Sequence, residues 1–438
     1  MQFGIDGSKG RGSRQGGACA EQAQRELLPL AVLAAEAGPA SLATAFPTGP
    51  TRAAHLLSYA ELLQEITRRS GQIETLVRAA SAAGRARREA GSRQDLEAAA
   101  LFALADIQRL GFRLFADAAA AEEARAQAEA VLALAPPPLL AVRARALLAQ
   151  LKGAEALAAG ERGAALEAAE ALEVASKAAA TLRASEVETA GLVIDRAELL
   201  LGLGVAAQDP ELLTAAEAIL AELAARLDPD RTPLSWMRAE TLRGQTLVAL
   251  GEVVGDAASI AEGVAALNIA IAAAPARHSP LDAARAGHAL GLALEAMGEA
   301  CDEEALFDRA VQAFSPALQL LDRTPTLPYR AVVAHDGAVC LARRAERRGD
   351  LKALEQAEAI FRQALKSRDA ASDPVAWAVT QVALARIYEA QSGLRPDTGE
   401  RADAAFALAS ALDVFGERGL RTLSAAALAA LDRLKERV

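Results

Sequence analysis

The chain has 438 residues, with 57 acidic against 47 basic side chains and a formal charge of −10. Hydrophobic residues make up 52% of it, but aromatics only 3%. The charge balance and the shortage of rings argue against nucleic-acid binding, which needs a basic footprint and stacking platforms; the dominance of alanine and leucine argues for helix throughout and against sheet. A core built without rings must pack Leu, Val and Ile against Ala, which lets helix axes approach toward the lower end of the roughly 8–10 Å range.

Residues 1–18 are rich in Gly, Ser, Lys and Arg and read as a flexible arm. Within them Gly7–Ser13 has the glycines of a phosphate loop, but the order of Gly and Lys is wrong and no strand precedes it. Residues 19–46 read as an N-terminal helix from Cys19 to Ala37, stopped by Gly38-Pro39, and a linker. Residues 47–185 read as about three divergent helical repeats. The first has a helical stretch from Ala53 to Arg88 that breaks near Ser70-Gly71, and Gly111 and Gly160 mark the next two.

Residues 186–419 carry about five clearer repeats. Pro233, Pro280, Pro328 and Pro374 follow one another at spacings of 47, 48 and 46 residues, each just before an apolar-periodic segment. Proline suits the first helical turn, where its fixed φ helps and its missing N–H is not needed. Gly204, Gly251 and Gly298 recur at intervals of 47. They are expected to end the first helix of each unit, as a C-terminal glycine does. In the second helix of one unit, Leu306, Ala310, Val311 and Phe314 fall on one face of a 3.6-residue period. Each of eight units of about 47 residues is therefore a helix, a loop, a second helix and a link. Residues 420–438, with Leu423, Leu428, Leu431 and Leu434, read as a C-terminal capping helix.

The segment Trp377-Ala-Val-Thr-Gln-Val-Ala-Leu-Ala-Arg-Ile-Tyr-Glu-Ala-Gln-Ser-Gly393 resembles the first helix of a tetratricopeptide repeat, in a long-repeat bacterial variant. Trp236, Gly244, Leu247, Leu250 and Gly251 repeat the pattern at the same phase three units earlier, whereas Ala283 and Ala331 replace the tryptophan in the two units between. The resemblance is good over 186–419 and poor before it. It implies an all-α, right-handed α-solenoid of stacked antiparallel helix pairs with a concave groove, and recognition of a protein or peptide.

In that family the first helix of each pair lines the groove. With Gly244, Gly291, Val339 and Ala385 fixing the register, the resemblance selects Arg238, Thr241 and Gln245, then Arg285 and His288, then Asp336, Arg343 and Arg386 as groove residues. Arg238 and Arg285 hold equivalent places in successive units, so they form a basic step that reads a carboxylate, or else pair with neighbouring acids. His288 and His335 lack the further ligands a metal site needs. Trp236 and Trp377 are expected to pack between units.

No catalytic residue is singled out: the sequence has no G-x-S-x-G elbow and no H-E-x-x-H. No cofactor or metal is expected. Cys19, Cys301 and Cys340 are odd in number and lack a Cys-x-x-Cys spacing, which favours a reducing compartment. With neither a signal-peptide core nor a run of about 20 apolar residues, the cytoplasm is the expected location and no membrane partner is foreseen. The expected function is a scaffold or adaptor, not an enzyme, that holds a partner peptide or helix in the groove. The alternatives are a recruiting or regulatory subunit of a separate enzyme, and a small-molecule receptor or enzyme, which would need a superhelix closed around a pocket. A homodimer joined through an imperfectly capped end stays open.

Overall fold

The structure is a computed structural model that describes residues 24–273, 275–324, 327–367, 373–395 and 399–436. The arm at 1–18, its glycine cluster and Cys19 lie outside the described residues. Among the described residues there is no strand. After a helical turn at 24–26, α1 runs over Leu30–Ala43. Eight antiparallel pairs follow: α2 (Gly49–Ser70) with α3 (Ile73–Glu89), α4 (Gln94–Phe115) with α5 (Ala118–Ala133), α6 (Pro138–Ala159) with α7 (Arg162–Thr181), and α8 (Glu186–Ala207) with α9 (Pro210–Arg226). Then come α10 (Pro233–Val254) with α11 (Ala257–Ala273), α12 (Pro280–Cys301) with α13 (Glu304–Leu321), α14 (Pro328–Arg348) with α15 (Leu351–Ser367), and α16 (Pro374–Leu394) with α17 (Glu400–Glu417). The last helix, α18, is Arg421–Glu436. This is the all-α solenoid of stacked helix pairs that the tetratricopeptide resemblance implies.

The chain divides into two compact units. Unit 1 comprises residues 1–293 and 319–328; unit 2 comprises 294–318 and 329–438. No helix among the described residues is long and apolar enough to cross a membrane.

The prolines do what the sequence predicts: Pro233, Pro280, Pro328 and Pro374 each open the first helix of a pair. Second helices start differently. Asp117, Asp209, Asp256 and Asp350 each accept hydrogen bonds from backbone N–H groups two or three residues on, satisfying donors that the first turn leaves orphaned.

The glycines play another part than the one expected. Gly204, Gly251 and Gly298 lie inside their helices, which run on to Ala207, Val254 and Cys301. The left-handed residues that end them are Gln208, Gly255 and Asp302, at φ 52°, 73° and 51°. What requires glycine is the approach of the second helix. A Cβ at Gly251 would lie 2.6 Å from Ile260 Cγ1 and 2.7 Å from the Asp256 carbonyl, and one at Gly298 would lie 2.9 Å from Phe307 Cε2. The N-terminal helix also differs from expectation. Its break falls at Leu27–Pro29, where Pro29 sets an extended entry to α1, and α1 continues through Pro39, inside the helix, to Ala43.

The two cores are filled differently. Unit 2 buries Phe307, Phe361 and Phe415, one on each of its second helices. Unit 1 relies on leucines such as Leu172, Leu213 and Leu220 against a dense set of alanines. Each fully buried leucine contributes about 1.5–3 kcal/mol. Trp236 packs against the Leu220–Leu223–Leu227 side of α9, and its indole N–H donates to the Ala224 carbonyl at 3.2 Å. It joins neighbouring pairs, as expected of it.

In unit 1, α10 crosses α11 with its backbone close by, and a Cβ on Gly263 would stand 2.7 Å from the Gly244 carbonyl. Gly263→Ala is expected to cost about 1–3 kcal/mol by overpacking, although alanine is the better helix former. Gly84→Ala, where the nearest atom is the mobile end of Arg88 at 3.9 Å, is expected to gain up to about 1 kcal/mol. Urea midpoints of the two variants test the contrast; equal shifts would contradict it.

Candidate functional site

Residues 24–30 hold unit 1 closed. Glu26 is buried and accepts hydrogen bonds from the backbone N–H groups of Leu234 (3.1 Å) and Ser235 (3.0 Å) and from the Ser235 hydroxyl. Its carboxylate thus sits on the first turn of α10, where orphan amides and the helix dipole favour an anion. Arg238 Nη2 completes the contact at 3.3 Å.

Arg69, near the end of α2, has 0% relative exposure. It donates to the carbonyls of Leu28 (3.0 Å) and Arg25 (2.9 Å) and to Glu65. Its neighbour Arg68 forks onto Glu65 at 2.8 and 2.9 Å and reaches Asp282 of α12 at 3.1 Å. The Leu30 N–H donates to the Arg277 carbonyl at 2.9 Å. Gly71, left-handed at φ 73°, leaves only 3.1 Å between an added Cβ and Leu327. The first helix pair therefore meets residues more than two hundred positions later, and unit 1 closes on itself.

Closure sets the first helices α2, α4, α6, α8, α10 and α12 around one cleft of about 420 Å³. That volume lies within the range of roughly 300–1,000 Å³ usual for ligand pockets. Its walls are charged. Arg113 on α4 reaches Asp195 on α8 at 2.8 Å and also bonds Glu198. Gln150 on α6 donates to the same Asp195, and Arg143 on α6 forks onto Glu188 of α8. Gln64 on α2 donates to Asp106 on α4 at 2.7 Å, and Arg109 pairs with Asp106 at 2.7 Å.

The charges are strongly coupled. Burial alone would raise the Glu65 carboxyl, but Arg68 and Arg69 outweigh it and hold the group well below the usual carboxylate range. Asp282 behaves likewise, with Arg68, Arg238 and Arg285 overcoming its burial. Arg238 is pushed below its usual value by burial and by the neighbouring Arg68, against the pull of Asp282, Glu26 and Glu65.

The predicted groove residues divide between the units. In unit 1, Arg238 and Arg285 both line the cleft. Arg285 Nη1 stands 3.9 Å from Asp282. Thr241 and His288 are buried in the helix packing, off the cleft wall, and Gln245 is half-buried. In unit 2, Asp336 is half-buried, Arg343 is bound by Glu295 (3.0 Å) and Glu299, and Arg386 is exposed and paired with Glu346 at 3.1 Å. Arg386 borders a second cleft of about 750 Å³ between α14, α16 and α18, floored by Val339, Val379, Val382 and alanines. His335 lies edge-on to Phe361, with ring centroids 5.1 Å apart. Cys340 is buried, and burial pushes its thiol up to about 12. Among the described residues no group of three or more His, Cys, Asp or Glu is placed to hold a metal.

Several cleft residues escaped the sequence reading: Glu26, Glu65, Arg68, Arg113, Arg143 and Asp195. One signal was available. Arg143 stands as far after Pro138 as Arg238 after Pro233 and Arg285 after Pro280, so the repeated arginine has a third member, and Arg143 and Arg238 pair with the acids Glu188 and Glu26. All three line the cleft.

No family model matches the chain, and no curated protein matches it. Among solved structures it is similar to a Rap protein complexed with competence and sporulation factor, at 12% identity over 88% of this chain and 98% of that one, with a TM-score of 0.48. It is also similar to a signal-transduction ATPase with numerous domains carrying a tetratricopeptide repeat sensor, from Pyrococcus horikoshii, at 12% identity over 86% and 52% and a TM-score of 0.48. Aspartyl phosphate phosphatase F from Bacillus subtilis matches at 12% identity over 86% and 94%, with a TM-score of 0.40. At this level the likenesses bring no residue, ligand or activity to this chain.

Two variants test the electrostatics. Arg69→Met strands two carbonyls and takes one of two guanidiniums from Glu65, which Arg68 still holds, at an expected cost of about 2–4 kcal/mol. Hydrogen exchange at Leu30 and Leu33 should rise more than at Leu220; equal rises would show that Arg69 does not hold the N-terminal segment. In unit 2, burial raises Glu295 to about 7 against the pull of Arg343. Its folded value thus exceeds the unfolded one of about 4.3, so the folded state binds the proton more tightly and stability falls as pH rises between those values. The advantage of Glu295→Gln over the wild type should widen by on the order of 2–3 kcal/mol between pH 5 and pH 8. An equal difference in denaturation midpoint at both pH values would refute this.

Proposed function

We propose that the chain is a protein-interaction scaffold or adaptor that works by binding, and that it holds a short segment of a partner in the cleft of unit 1. The observation that carries this reading is the closed arrangement itself: first helices of six successive pairs present guanidinium, carboxylate and amide groups to one cleft of about 420 Å³. Such convergent polar groups on rigid helices are what orients a bound ligand. Solenoids offer an extended concave surface, and each pair adds one strip of it. The carboxylates of the cleft are held by arginines, which suits recognition better than proton transfer.

Closure also favours a second reading, a receptor for a small molecule bearing both charges, because the enclosed volume suits one. Both readings place the ligand in the same cleft, so one variant tests them together.

Gly191 lines the cleft on α8, and nothing lies within 4 Å of a Cβ added there. Gly191→Leu should therefore plug the cleft while leaving the melting temperature unchanged or raised. The partner recovered with the wild-type chain by affinity purification and mass spectrometry should be lost with Gly191→Leu and kept with Gly84→Ala. Equal recovery with the plugged variant would remove the cleft as the binding site.

A further inference from the structure

The last helix keeps the register of the repeats. Arg421 opens α18 and comes 47 residues after Pro374, which opens α16. Within unit 2, α18 therefore takes the place of a first helix, and it can be compared with α16 position by position. Ala427 and Leu434 correspond to Thr380 and Ile387, and all four are buried. They are the residues that seat α18 in the core of unit 2. Three other positions part company. Ala378, Ala385 and Tyr388 are buried in α16, but their counterparts Ala425, Asp432 and Lys435 are exposed. A face that α16 covers is thus bare on α18 among the described residues.

That face is not polar throughout, as the outer face of a capping unit would be. Leu428 lies in it at 48% exposure, where α16 has Gln381. Arg421, Ala425, Leu428, Asp432 and Lys435 follow one another at intervals of four, three, four and three, all of them exposed. This is the spacing of a seam along which two helices pack. Its charges are unevenly placed. Arg421 stands at one end, and Asp432, with Lys435 at 3.2 Å, stands at the other. Turned antiparallel about a two-fold axis, such a seam is complementary to itself. Leu428 of each copy faces Ala425 of the other, and Arg421 of each faces Asp432 of the other. A parallel pairing would set like charge against like at both places.

We infer that the bare face of α18 docks on α18 of a second copy of this chain, antiparallel and in this register. The contact is isologous, so it closes as a dimer. One helix face buries less than the roughly 1,200 Å² at which standard interfaces begin, so the dimer is a weak one, of micromolar affinity or below. Exposed ion pairs add little to that affinity. Their part is to fix direction, because opposed like charges disfavour the alternative.

Sedimentation equilibrium of the full chain from about 5 to about 500 µM tests this. The weight-average mass should climb from the 45.4 kDa of one chain toward twice that value. Leu428→Glu should hold the chain at the lower mass with its melting temperature unchanged. Arg421→Asp and Asp432→Arg, each alone, should weaken the dimer about tenfold. The two together should restore it, and the double variant should not pair with labelled wild type. A chain that stays at the lower mass throughout overturns the inference and leaves α18 as a cap alone. A dimer that survives Leu428→Glu lies on another surface, and a double variant that stays weak excludes the antiparallel register; either result also overturns it. None of these outcomes bears on the cleft, which belongs to unit 1.

Discussion

A guanidinium with no exposed surface is tolerated only where its donors are met and its charge is balanced. Arg69 is such a group, and unit 1 is arranged around it. Its partners are two carbonyls of the N-terminal segment and Glu65. Holding that segment in place puts Glu26 on the first turn of α10. With Glu65 fixed from one side by Arg69, Arg68 is free to span to Asp282. Closure and the cleft that closure encloses follow from these few bonds. Breaking one partner away leaves another buried charge uncompensated, so the set stands or fails together.

What the sequence reveals here depends on the range of the physics involved. A proline at a helix start is a local matter, and the prolines from Pro233 to Pro374 mark helix starts. The spacing of Gly204, Gly251 and Gly298 is equally visible, but its cause is not. A glycine that ends a helix and one that admits a neighbouring helix look the same in a string of letters. The difference lies in Ile260 and Phe307, which only the folded chain brings against them. Arg238 and Arg285 were legible as groove residues because repetition points at them. Thr241 and His288 were placed by the same rule and are buried, since tight closure covers faces that an open groove would leave bare. Glu26 had no local signal at all: its partners are 208 and 209 positions away.

Buried carboxyl groups behave in contrasting ways. In unit 1 opposite charges are interleaved closely enough that Glu65 and Asp282 are held ionised despite burial. In unit 2 Glu295 has Arg343 beside it but also Glu299 and Asp336, and burial prevails. Cys340, close to that group, is driven away from thiolate by the same burial. Carboxylates bonded or flanked by several guanidiniums are thus held ionised, whereas Glu295 of unit 2 and Glu240 of unit 1, paired with Arg343 and Arg243, are raised by burial.

The segment that seals unit 1 has a bearing on how the chain is made. Glu26 leaves the ribosome before Leu234 and Ser235, whose amides it takes up and which are synthesised 208 and 209 residues later. Bringing such distant residues together is the slow kind of contact. Until then the first helix pairs stand with their inner face open to water and the arginines of that face still solvated. During that interval the cleft lacks its closing wall. Unit 1 therefore closes late, and reopening it requires the N-terminal segment to let go of α10.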